Sequence, residues 1–140
     1  MLAIVRKKII SSLWGDYIKS IHFYDKLFLE KPVLDHLAII DLTSWRSGRD
    51  VMRKIFSKIG FVESGSGYLP DKQNDFLWMR EANFENLNFG ESLPQLVLAD
   101  FRNELFSPEV QNLIEKLTSN IKQFDFAHLD NLIKDIERGD

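Results

Sequence analysis

Leu34-Asp35-His36-Leu37-Ala38-Ile39-Ile40-Asp41-Leu42 has the length and the β-rich apolar middle of a mostly buried strand. Pro32 stands just ahead of it and ends whatever helix precedes it. Downstream, Ser47 with Asp50 three residues later reads as an N-terminal capping signal. Val51, Met52, Ile55, Phe56 and Ile59 then recur at helical spacing until Gly60 supplies a C-cap. A strand succeeded at once by an amphipathic helix sets the class as α+β, and the strands downstream of Gly60 decide the topology.

Phe61-Val62-Glu63-Ser64, a Gly65-Ser66-Gly67 break read as a turn, Tyr68-Leu69-Pro70, and Phe76 to Ala82 predict two antiparallel strands around a polar loop at 70–75. Residues 83–94, Asn-rich with Gly90 and Pro94, predict a loop, and Gln95 to Phe101 a further strand. The core over 34–101 is therefore a βαβββ unit with a small mixed sheet. Upstream, 3–13 and 16–29 predict two helices broken near Gly15, a helical extension over 1–31. Ser107-Pro108-Glu109 gives an N-cap, an N1 proline and a first-turn acid, opening a helix with a Val110, Leu113, Ile114, Leu117, Ile121 stripe. A last helix over about 126–137 buries Leu129, Leu132, Ile133 and Ile136, so the C-terminal helices occupy 107–137. The 140 residues, with no internal repeat or linker, predict a single domain over 1–140.

Composition removes several function classes. There is no cysteine, which excludes disulfides, thiolate metal sites and a cysteine nucleophile and leaves His and carboxylates as metal donors. Net charge is −3, with six basic and three acidic side chains over 1–34 but four basic and eight acidic over 104–140. That balance lacks the basic, aromatic-interleaved stripe of a nucleic-acid surface, so no nucleic-acid partner is expected. No run approaches the ~20 apolar residues of a membrane span. Met1 to Val5 runs into Arg6-Lys7-Lys8, the reverse of a secretory signal, and a cytoplasmic location is expected.

The segment from Leu34 to about Lys122 resembles the first half of the 2-oxoadipate dioxygenase/decarboxylase (hydroxyglutarate synthase) family of the vicinal oxygen chelate superfamily. The likeness rests on Asp35-His36-Leu37-Ala38, Gly48-x-x-Val51 leading to Ile55-Phe56 and Ile59-Gly60-Phe61, Gly67-Tyr68-Leu69-Pro70, Leu93-Pro94, and Phe106-Ser107-Pro108-Glu109-Val110-Gln111. The resemblance implies two βαβββ modules around Fe(II), a 2-oxo acid and dioxygen, with His36 as the first metal ligand. It also implies a facial two-His-one-carboxylate centre with open positions for a bidentate 2-oxo acid. Two departures stand against a complete site. The family's second His and its carboxylate belong to a second module that these 140 residues do not build, and its Arg four residues after the first His is here Ile40.

The candidate metal ligands are accordingly His36 and Asp100, a half-site for a homodimer or a second module on another chain to complete. Otherwise Asp100 is a solvated acid pairing with Arg102 or a lysine. Alternation along a strand sets Asp35 and His36 on opposite faces, so Asp35 is expected to stabilise a turn rather than bond the ring. Trp78 and Arg80 share one strand face and are candidates for lining a substrate cavity, against the plainer reading as core and surface residues. His22 and His128 have no helical His partner and read as structural. Two functions are compatible with these residues: a non-catalytic binding or interaction domain, and an Fe(II)-dependent 2-oxo acid dioxygenase completed by pairing.

Overall fold

A computed structural model describes residues 2–28, 30, 32–88 and 90–138. Met1, Leu29 and Lys31 of the expected helical extension, Phe89 of the expected 83–94 loop, and residues 139–140 lie outside that set. The element order is α1 (Leu2–Ser20), α2 (Tyr24–Leu27), β1 (His36–Ile40), α3 (Arg49–Lys58), β2 (Phe61–Leu69), β3 (Asn74–Glu81), β4 (Gln95–Phe101), α4 (Pro108–Thr118) and α5 (Phe126–Arg138). The four strands form one mixed sheet in the order β1-β4-β3-β2, with β1 parallel to β4 and the other pairs antiparallel. This is the βαβββ arrangement expected, in an α+β fold.

One sheet face is packed. Leu77 and Met79 of β3 and Leu96 and Leu98 of β4 are buried against Ile10 of α1 and Phe56 and Ile59 of the α3 region, with Ile133 of α5 at the edge. Arg6 ties α1 into this layer. Its Nη1 donates to Ile59 O at 3.1 Å and its Nη2 lies 3.7 Å from Glu81 Oε2, while Glu81 Oε1 accepts from Leu93 N at 2.7 Å. A buried charge pair of this kind is stable only with its remaining oxygens satisfied, and the Leu93 amide does that.

Several local expectations are corrected. Gly15 does not break α1, which runs on to Ser20, because a single glycine costs a helix only about 1 kcal/mol. The chain turns instead at Phe23, whose φ of 68° is left-handed. Gly65-Ser66-Gly67 is no turn but the middle of β2, with a register shift between Glu63 and Gly65. The glycines are there because β3 rings lie over them. A Cβ on Gly67 would sit 2.6 Å from Phe76 Cζ, and one on Gly65 would overlap the Trp78 ring. The α3 cap is not Ser47, whose hydroxyl donates to Leu42 O at 2.6 Å. The stripe of α4 is mostly uncovered, since Ile114 is buried but Val110, Leu113 and Leu117 are exposed. In α5 only Ile133 reaches the core, and none of its residues is fully buried.

Candidate functional site

The second sheet face is open. Strand alternation and register place side chains on it in rows running across the sheet. His36 pairs with Gln95, beside Arg80; Ala38 pairs with Val97 and Val97 with Trp78; Ile40 pairs with Ala99 and Ala99 with Phe76. Three of the four candidate residues, His36, Trp78 and Arg80, thus line one shallow hollow of about 370 Å³ with Asp35, Gln95 and Val97. Arg80 Nε donates to Gln95 Oε1 at 3.3 Å, and its guanidinium lies 4.6 Å from the centre of the Phe84 ring. Trp78 and Phe76 stack with centroids 6.3 Å apart and planes inclined by 27°.

The fourth candidate is elsewhere. Asp100 comes five residues after Gln95, so it lies on the packed face and roughly 16 Å along the strand from the level of His36. The two do not form a half-site. Nor is Asp100 a solvated acid paired with Arg102. It is buried, and its Oδ2 accepts from the first helical amide of α3, Arg49 N, at 2.9 Å. Asp41 Oδ2 accepts from Gly48 N at 2.8 Å in the same way. Two carboxylates from strand ends therefore satisfy the free amides of the α3 N-terminus, where the helix dipole favours negative charge. Arg102 instead grips Asp75 with two bonds of 2.8 and 2.9 Å and lies 3.7 Å from the Tyr68 ring centre. Burial pushes the Asp100 carboxyl above its ordinary range, partly opposed by the Arg49 amide bond. The Arg102 bond pulls the Asp75 carboxyl below its range.

Asp35 is corrected as well. Its Oδ2 lies 2.8 Å from His36 Nδ1, because Asp35 sits in the bend before β1, where strand alternation does not apply. With Nδ1 held there, the other ring nitrogen, Nε2, is left to other partners. Phe76 and Gln95 complete the face, and neither stands out in the sequence. The two-residue period from Trp78 reaches Phe76, but Gln95 joins His36 and Arg80 only through the cross-strand register.

The donors present do not match the iron centre that the resemblance implies. Among the described residues, no group of three His, Cys, Asp or Glu side chains converges. His36 is the single imidazole lining the hollow, and the one carboxylate lining it, Asp35, is turned to its Nδ1. A facial three-ligand centre does not fit this chain alone.

No family model and no curated protein matches the sequence. Solved structures do. A candidate hydrolase from Shewanella frigidimarina superposes with a TM-score of 0.70 at 25% identity, over 83% of this chain and 45% of that one. The hydroxyglutarate synthase of Oryza sativa, solved with 2-oxoadipate, gives 0.51 at 22% identity over 59% of this chain and 27% of its own. A candidate glyoxalase-superfamily protein from Ralstonia eutropha gives 0.45 at 18% identity, over 64% and 34%. The fold is a vicinal-oxygen-chelate-like module. The chain spans less than half the length of each of these structures.

Proposed function

We propose that this chain is a binding module: its open sheet face is a ligand surface, and it carries no complete catalytic centre by itself. The observation behind the reading is the composition of that face, where one imidazole, one guanidinium and two stacked aromatic rings gather while, among the described residues, no three metal-type side chains converge. Ile40, 63% exposed on the same face, stands where the resembled family has a cation for the substrate. Pockets of binding proteins combine apolar walls with a few placed polar groups, and this face has both.

A second reading is an Fe(II)-dependent 2-oxo acid dioxygenase completed by a second βαβββ unit, from another copy or another chain. The Asp35–His36 contact favours it, since a carboxylate on one ring nitrogen orients a histidine that ligates through the other. The purified chain, given Fe(II) and a panel of 2-oxo acids in an oxygen electrode with light scattering on the same sample, separates the two. The binding reading predicts uptake no faster than for His36→Ala. Uptake that requires His36 and grows with the dimer fraction overturns it in favour of the second.

A further inference from the structure

We infer that the open face takes an organic acid with a single anionic head and an apolar body, rather than a dicarboxylate. The inference rests on reading that face as a ligand surface, and it names the ligand class. The face is polar at one end only. His36, Gln95 and Arg80 form the first row; four residues further along β1, about 13 Å at strand rise, stands Ile40. Between them the floor is small, Ala38, Val97 and Ala99. The Trp78 and Phe76 rings lean over Gly65 and Gly67, toward β2 and away from that floor. The result is an open strip of small residues flanked on the β2 side by the two rings, with the hollow of Asp35, His36, Trp78, Arg80, Gln95 and Val97 at its polar head.

Arg80 reads the head. Its Nε is bonded to the neutral Gln95 amide, and its nearest carboxylate, Glu85, is 3.8 Å from Nη1 and 87% exposed, a separation and solvation at which an ion pair holds little. The planar guanidinium therefore retains donors for a carboxylate. Asp35, the other acid at this end, is engaged by His36. Beyond the head a second carboxylate would meet Ala38 and Val97 in the next row and Ile40 and Ala99 in the one after it, and stripping its hydration against aliphatic carbon carries a penalty with no compensating bond. A flat ring or a short alkyl chain meets only apolar surface there.

The test is chemical-shift mapping on the isotope-labelled full chain with three probes: 3-phenylpropionate, octanoate and 2-oxoadipate. The monoacids are predicted to bind at least about tenfold tighter than 2-oxoadipate, the equivalent of one charge-assisted hydrogen bond or one uncompensated desolvation. The shifts should centre on Ala38, Trp78, Arg80 and Val97. Phenylpropionate ahead of octanoate assigns a ring to the strip, and the reverse assigns an alkyl chain. Arg80→Gln should weaken the monoacids by about tenfold, and Ile40→Arg should move the preference to 2-oxoadipate. Equal or tighter binding of 2-oxoadipate at the same residues overturns the inference while leaving the face a ligand surface. Shifts elsewhere, or none, overturn the inference and remove the support for that surface as well.

Discussion

Asp75 and Asp100 face each other across β3 and β4, yet their surroundings push their carboxyls in opposite directions. Asp100 is raised, first by burial, so folding favours its protonated form. Its contribution to stability falls as pH rises from the ordinary carboxylate value through the raised one, and near neutrality the charge is a net burden. Asp75 is lowered, first by the Arg102 bond, so its contribution is present above the ordinary value and is lost as pH falls through the lowered one. Thermal melts should therefore show Asp100→Asn, which keeps an acceptor for the Arg49 amide, holding or raising Tm at pH 7, with the advantage vanishing in acid. Asp75→Asn should lower Tm at pH 7 and lose that defect in acid. The same sign for both variants at pH 7 would contradict these environments.

At the scale of elements, the fold is held by ties between segments distant in sequence. Arg6 of α1 bonds the carbonyl after α3 and neutralises Glu81 at the end of β3, so α1 is part of the core layer. Arg6→Ala leaves a buried carboxylate without its charge partner and is predicted to cost about 3 kcal/mol in urea unfolding. A loss below about 1 kcal/mol, the level of a surface pair, would show that α1 docks by apolar contact alone. These ties also mark how far the sequence could be read. The bounds of β4 and the Ser107 cap of α4 were legible, since strand composition and the Ser-Pro-Glu signature are local. The α3 cap was not, because its acceptors, Asp41 and Asp100, come from the ends of two strands. Gly65-Ser66-Gly67 misleads for a related reason. Its glycines answer to rings on the neighbouring strand, and a turn signal looks the same in one dimension. That Trp78 and Arg80 share a face is legible from strand alternation, whereas their meeting with His36 and the separation of Asp100 from all three need the registers across β1, β4 and β3.

At the scale of the molecule, helices α1, α3 and α5 cover one side of the sheet, and the shallow hollow of His36, Trp78 and Arg80 lies on the other. No helix among the described residues is long and apolar enough to cross a membrane. The part of each similar structure that this chain matches is 45% of one and 27% of the other, so both extend well beyond the shared module. The central claim is that this chain binds through its open face without assembling a metal centre of its own. Isothermal titration of the purified chain with Fe(II) under anaerobic conditions tests it most directly. A lone imidazole predicts only weak association, unchanged in stoichiometry at any protein concentration, with at most a small loss in His36→Ala. One tightly held iron per chain or per dimer, abolished in His36→Ala, would contradict it.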